Sequence, residues 1–306
     1  MTERYVELHA SSAFSFLEGA SQPEQLIERA LSLEMPAIAL LDRNGVYGSA
    51  RFQSSAKRND IRAHTGAEVA VSDFGRRLTP PAWLPHQHLA EPARLPLLCE
   101  SPEGYQNLCQ LLTHIKMRET AKTEGAATFS DLRQYASGLI CLTGGDEGPL
   151  AAALARGGEE AGRKSIEQLI SIFGRENVYV ELQRHQEREE EWRNQIALRI
   201  ACSLKLPVIA TNGVRYANAY DREILDTFTA IRNHTKLDLA GRLLSFNHQR
   251  YLRSAREMYA LFHDVPGAIE NTVHLSSRLA FVLKNLGYEF PCYRVPEGET
   301  MDSFLR

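Results

Sequence analysis

Seven short apolar runs, set apart by amphipathic stretches and ending near Ala210, constrain this chain more than any other feature. They are Tyr5–Leu8, Ala37–Leu41, Ile61–Val69, Leu95–Cys99, Leu139–Leu142, Val178–Leu182 and Val208–Ala210. Each is strand-length rather than helix-length, as expected for strands of a mostly buried sheet. Between them lie helical patterns. Gln22–Leu33 places Leu26, Ile27, Ala30, Leu31 and Leu33 mostly on one side, with Ser21 as the expected N-cap and Pro23 in the first turn. Pro102–Met117 repeats the pattern with Tyr105, Leu108, Cys109, Leu111, Leu112 and Ile115, and Glu187–Leu204 does so with Trp192, Ile196, Ile200 and Leu204. Strands alternating with helices predict an α/β fold of parallel β/α type. Periodicity alone leaves open whether the sheet is flat or closed into a barrel.

After Ala217 the strand signal stops. Asp221–Arg232, Ser254–Phe262 and Pro266–Phe281 read as helices, giving a division into a β/α region over 1–216 and a helical extension over 217–306. Pro80–Pro96, rich in Pro, Ala and His, reads as a long loop, and Thr120–Ala127 as a second. The tail Gly287–Arg306 carries Tyr288, Phe290, Tyr293 and Phe304 with Pro291 and Pro296 and shows no period. It is expected to be poorly ordered or to lie back on the barrel with an exposed apolar patch.

A formal net charge of −3 over 306 residues argues against a surface that traps nucleic acid as a whole, so any DNA contact is local or indirect. Cys99, Cys109, Cys141, Cys202 and Cys292 contain no CxxC pair and read as buried, reduced thiols of a cytoplasmic protein. No leader and no apolar run of membrane-spanning length is evident, so no membrane partner is expected.

In parallel β/α folds the functional groups gather at the C-terminal ends of the strands. Those ends read His9-Ala10-Ser11 through Phe14-Ser15-Phe16-Leu17-Glu18-Gly19, then Leu41-Asp42-Arg43, Gly66-Ala67-Glu68, Thr143-Gly144-Gly145, Gln183-Arg184-His185 and Asn212-Gly213-Val214-Arg215. Together with Ser101-Pro102-Glu103-Gly104-Tyr105, Val180-Glu181-Leu182-Gln183, Leu206–Asn212 and Val295–Thr300, they resemble the PHP domain of bacterial C-family DNA polymerase α subunits. The Phe14-Ser15-Phe16-Leu17 wording resembles the error-prone branch. The resemblance implies a distorted seven-stranded, TIM-like β/α barrel with a helical C-terminal extension leading toward a polymerase palm.

Active members of that family carry a trinuclear metal cluster, which can activate water and clamp a phosphate. The resemblance places its ligands at His9, Ser11, Glu18, Arg43, Glu68, Arg94, Gly145, Gly213 and Arg215. Of these, His9 and Glu68 are kept and Glu18 replaces an aspartate. Ser11 keeps only a weak hydroxyl, the two glycines offer nothing, and the three arginines repel a cation. Drift in a site released from selection is the plainer reading. The sharper one is an ion-pair core of Arg43, Arg94 and Arg215 with Glu18 and Glu68, the expected pairs being Arg43 or Arg215 on Glu68 or Glu18, because a buried carboxylate without metal needs a counter-charge or a proton.

Other signals read as structural. His86-Gln87-His88 has ligand spacing but no Cys or acidic partner nearby; His64 sits inside a strand; Glu187–Glu191 is an acidic helix start. Arg242 and Arg250–Arg253 with Tyr251 could form a basic-aromatic patch but read as a solvated helical face. Thr143–Gly148 lacks the Lys-Ser/Thr of a phosphate-binding loop. The expectation is a structural or interaction module tied to DNA replication and translesion repair, with no polymerase active site and no cofactor. The alternative is a residual phosphoesterase or 3′–5′ exonuclease using Zn, Mn or Mg at His9, Glu18, Glu68 and His185. The partners this implies are a separately encoded polymerase body or a mutagenesis accessory protein.

Overall fold

The structure, a computed structural model, describes residues 3–77, 90–118, 125–283, 295–296, 298 and 300–304. Its strands are β1 (Glu7–Ala10), β2 (Ala37–Arg43), β3 (Arg62–Arg77), β4 (Ala90–Cys99), β5 (Leu139–Leu142), β6 (Val178–Leu182) and β7 (Val208–Ala210), paired in sequence order in one seven-stranded sheet. The helices are α1 (Pro23–Ser32), α2 (Ser49–Arg58), α3 (Pro102–Arg118), α4 (Phe129–Tyr135), α5 (Pro149–Phe173) and α6 (Arg188–Leu204). They continue with α7 (Arg222–Arg232), α8 (Leu237–Ala240), α9 (Ala255–Leu261), α10 (Pro266–Arg278) and α11 (Met301–Phe304). The sheet curls until its edges meet at an Ala10–Val214 bridge, where Val214 N donates to His9 O at 2.9 Å. The Glu7 carboxylate, accepting from Asn212 N at 2.9 Å, fastens the same seam.

Alternation along each strand sorts side chains between two apolar layers. Val178, Val180 and Leu182 of β6 face the helices, as do Ile38 and Leu40 of β2. Tyr179 of β6 and Ala37, Ala39 and Leu41 of β2 join Val6, Leu8, Leu98, Ile140, Leu142 and Ile209 in the barrel interior. The N-terminal end of the barrel is stoppered by α10, whose Leu275, with Leu279 just past its end, enters that interior cluster. Its Thr272 hydroxyl accepts from Val6 N at 3.2 Å, and its Ser276 hydroxyl meets His64 Nε2 at 2.8 Å. Burial, together with Arg62, pushes the His64 imidazole down to about 3, so it stays neutral there, a structural histidine.

Several expectations need correction. The sheet is not parallel throughout: β4 runs antiparallel to both β3 and β5. A β3–β4 hairpin needs no crossover helix, which apolar runs alone do not reveal. The proline-rich loop expected to Pro96 gives way to strand from Ala90, with Pro92 and Pro96 inside it; the stretch 80–89, including His86 and His88, lies outside the described residues. Ser21 is not the cap of α1. Gln22 is, in a capping box with Gln25, and the Ser21 hydroxyl instead accepts from Ala217 N at 2.8 Å. Cys99 and Cys141 are buried, but Cys109 is half-buried and Cys202 is exposed, because α6 turns that face outward. Cys292 and most of the 287–306 tail, including Tyr288, Phe290 and Tyr293, lie outside the described residues, as does 120–124.

Candidate functional site

Because the inward-facing positions climb each strand in steps of two, the residue types change with height. Tyr179 is followed inward by Glu181 and then Gln183, His64 by Gly66 and Glu68, and Ile209 by Thr211 and Gly213. The apolar interior thus gives way to a polar mouth at the C-terminal strand ends. Antiparallel β4 brings its beginning to the same end: Arg94 pairs with Ala70 and Pro96 with Glu68, which puts the Arg94 guanidinium over the mouth.

Arg94 is the hub. It donates to Glu18 through two nitrogens, at 2.7 and 3.0 Å, and lies 3.5 Å from Glu68 and 3.1 Å from Glu147. Glu18 also accepts from Arg43, and from Arg232 Nη1 at 2.6 Å. Arg215 bonds Glu147 at 2.8 Å rather than Glu18 or Glu68, and Arg250 lies 3.1 Å from Asp146. Burial alone would raise the Glu18 carboxyl, but Arg94, Arg43 and Arg215 hold it below the usual range. Burial likewise acts against Glu68, yet His9, Arg94 and Arg215 hold it at about 2. The same contest keeps Arg94 charged: burial opposes the guanidinium, and Glu147, Glu68 and Glu18 outweigh it.

His9 lies between two carboxylates, its Nδ1 at 2.7 Å from Glu181 and its Nε2 at 3.3 Å from Glu68. Burial opposes its charge, but the two glutamates raise its pKa well above the ordinary imidazole value. Both nitrogens therefore donate. Below it, buried Glu7 accepts from the Tyr5 hydroxyl at 2.6 Å and from His9 N at 2.8 Å, and burial pushes it up to about 7. Ser11 is turned to Val214 O at 3.2 Å. Asp42, absent from the expected set, accepts from Ser12 N and Ser15 Oγ at 2.8 and 2.9 Å and orders the β1 loop. His185 does not join the mouth: its nitrogens meet Glu190 Oε1 at 2.7 Å and Asn212 O at 2.8 Å. Glu190 is thus buried at the start of α6, so that acidic helix start is not solvent-facing throughout.

Gln183 fills the space left by the two glycines. Its amide donates to Glu181 at 2.9 Å and to Thr211 Oγ1 at 3.3 Å, while its oxygen accepts from Arg250 at 3.4 Å. A methyl group at Gly145 or Gly213 would collide with that amide, and Gly213 also has a positive φ of 51°. We expect Gly145→Ala to cost about 1–2 kcal/mol by displacing these bonds, and much less in a Gln183→Ala background. Denaturation of the two single variants and the double variant checks this, and simple additivity would refute it. The cavity that remains, bounded by His9, Glu18, Glu68, Arg94 and Arg215, has a volume of about 30 Å³, room for about one water. Among the described residues, no group of three or more His, Cys, Asp or Glu side chains is placed to hold a metal ion.

Glu147, Asp146, Gln183, Arg232 and Arg250 went unrecognised in the sequence. Gln183 was within reach, two positions beyond Glu181 on the inward face. The segment 250–253 also departs from expectation. It is not helical, Arg250 turns into the mouth, and Arg253 is buried with its guanidinium 4.8 Å from the Tyr251 ring centroid, so neither a solvated face nor a free basic patch is formed. Tyr251 bridges to Tyr216, which draws this stretch against the barrel.

This curled β/α sheet, polar at its strand ends, matches the PHP domain family model over residues 7–185, and the chain belongs to that family. Its relatives include an error-prone DNA polymerase of Mycolicibacterium paratuberculosis, 35% identical over 303 residues, covering 99% of this chain and 27% of that protein. The DNA polymerase III subunit alpha of Pseudomonas aeruginosa is 29% identical over 307 residues, covering 100% of this chain and 25% of that protein. The chain thus spans about a quarter of the length of these curated relatives. Among solved structures, a protein of Bifidobacterium adolescentis described as a metal-dependent phosphoesterase superposes with a TM-score of 0.45 at 10% identity, over 69% of this chain and 87% of that one. No described helix is long and apolar enough to cross a membrane.

Proposed function

We propose that this chain is a catalytically degenerate PHP domain serving an error-prone DNA polymerase as a structural module. Its former metal site has become an arginine–carboxylate core. The observation that carries the reading is Arg94, bonded to Glu18 and within ion-pair distance of Glu68 and Glu147. The positions where the family resemblance implies ligands do not fit a metal cluster. The two surviving carboxylates are held by guanidinium groups, both His9 nitrogens are taken up by glutamate oxygens, and Gln183 takes the space at Gly145 and Gly213. Hydrolysis by a metal-activated water is not a reaction these residues support. An organised set of pairs with a glutamine fitted between two glycines favours purposeful replacement over simple drift. In this reading residues 1–216 form the barrel, and 217–306 lead toward a polymerase body on the same or another chain; contact with DNA is indirect.

Purified protein incubated with excess Zn²⁺, Mn²⁺ or Mg²⁺ and then desalted is expected to retain no stoichiometric ion and to leave a chromogenic phosphodiester intact. Two or more equivalents of a divalent ion, lost together on substituting Glu68 and His9, would overturn the proposal.

A further inference from the structure

Helices α5 and α6 run side by side, tied toward their C-terminal ends and parted at their starts. Beyond the break in α5 at Gly157 and Gly158, Glu159 pairs with Arg199 at 2.7 Å and Arg163 donates to Ser203 Oγ at 3.1 Å. Gly158 takes a positive φ of 63°, which glycine adopts without strain, and α5 kinks there. Before the kink a cleft of about 450 Å³ opens between the first turns of the two helices, within the range of about 300–1,000 Å³ usual for small-molecule sites. Ala151, Leu154 and Ala155 of α5 give it an apolar floor, and the Trp192 indole, 56% exposed, lines its α6 side. The Arg250–Asp146 pair, at 3.1 Å, borders both this cleft and the mouth of the barrel.

The charge lining the cleft is one-sided. Four carboxylates, on Asp146, Glu187, Glu189 and Glu190, face two guanidinium groups, on Arg193 and Arg250. Both cations are already matched, Arg250 by Asp146 and Arg193 by Glu190 at 3.7 Å, and Glu190 is held besides by His185 at 2.7 Å. Glu187 and Glu189 are exposed and have no ion-pair partner among the described residues. Neighbouring cations do not cancel them: Arg156 turns its Nε back to Ala152 O at 3.3 Å, and neither it nor Arg188 lines the cleft. The helix N-termini that open here favour anions, and Glu189, Glu190 and Glu191 already answer that of α6. Two spare carboxylates beside an indole face and an apolar floor suit a positive group on an alkyl stem. We propose that the α5–α6 cleft binds an organic cation, an alkylammonium or alkylguanidinium group laid on Trp192 with its charge against Glu187 and Glu189. This inference does not depend on the reading of the mouth.

The chain has two tryptophans, Trp83 and Trp192, so its nitrogen-labelled form gives two indole N–H signals in an NMR spectrum, and Trp192→Phe identifies the one from the cleft. Two probes are titrated into the full chain at physiological ionic strength: spermidine as a free cation, and the peptide acetyl-Gly-Arg-Gly-amide as a side chain. At least one is expected to shift the Trp192 signal saturably, with a Kd on the order of 1 mM. Glu187→Gln with Glu189→Gln is expected to weaken that binding about tenfold. The pair should leave the Tm as in the parent, since both side chains are exposed. A response to spermidine alone makes the ligand a free polyamine, and a response to the peptide alone makes it a basic segment of another protein; either supports the site. No shift with either probe at concentrations well above the expected Kd overturns the proposal. So does an undiminished shift in the glutamine pair. A shift with inorganic phosphate and with neither cation overturns it too, and makes the cleft an anion site at the helix N-termini.

Discussion

Arg94→Met is expected to lower the unfolding free energy by about 3 kcal/mol, toward the lower end of the range of about 3–5 kcal/mol for breaking a buried ion pair. The Arg94 side chain is only 13% exposed and meets three carboxylates. Methionine replaces the apolar stem but leaves the carboxylates short of a counter-charge in a poorly solvated mouth. The loss is held below the upper end because Glu18 keeps Arg43 and Arg232, Glu68 keeps His9, and Glu147 keeps Arg215. Arg94→Lys is expected to cost less, since it keeps the charge while losing the two-pronged bond to Glu18. Urea denaturation at neutral pH measures both. A methionine variant as stable as the parent would show that the cluster contributes nothing to stability.

The second large effect is in pH. Glu68 titrates at about 2 in the folded protein against 4.5 as its ordinary value. Its contribution is fully present above about 4.5 and is lost as pH falls through about 2. The difference of roughly 2.5 units, at about 1.4 kcal/mol each, amounts to about 3 kcal/mol. Glu7 acts in the opposite direction. Raised to about 7, it binds more protons folded than unfolded, so stability falls as pH rises from about 4.5 to 7. His9, also raised, contributes stability present below its ordinary value and lost as pH rises through its folded one. Unfolding free energy measured from pH 3 upward should therefore rise on the acid side through Glu68 and decline toward neutrality through Glu7. Glu68→Gln should flatten the acid limb and spare the neutral one. An acid limb equally steep in that variant would mean that other carboxylates carry it.

Strands β5, β6 and β7 were legible to the residue because each is a buried apolar run between turn residues and pairs along its whole length. The later half of β3 was not, since beyond Val69 its buried Ala70, Val71 and Phe74 are broken by Ser72 and Asp73, and pairing with β4 carries the strand through them. Helix α5 escaped because Gly157 and Gly158 interrupt it with non-helical backbone, and a charged stretch follows. At the mouth, the strand ends contain His9, Glu18, Arg43, Glu68 and Arg215, the family resemblance added Arg94, and alternation explains why they converge. It could not assign partners. Arg232 reaches Glu18 across a separation of 214 residues, and Glu147 comes from a loop. Which arginine takes which carboxylate depends on those late arrivals.

The stopper helix sets the order in which this molecule can be made. Val6 is bonded to Thr272, 266 positions away, and the barrel seam needs residues from both β1 and the turn after β7. During synthesis from the N-terminus, β1 must therefore wait, unsealed, until Val214 has emerged, and unstoppered until Thr272 has. Contacts of such long span make folding slow and leave strand edges open in the meantime. The half-made barrel is the form most in need of a chaperone: a nascent chain that stalls before Val214 lacks one side of the seam, and one that stalls before α10 lacks its stopper.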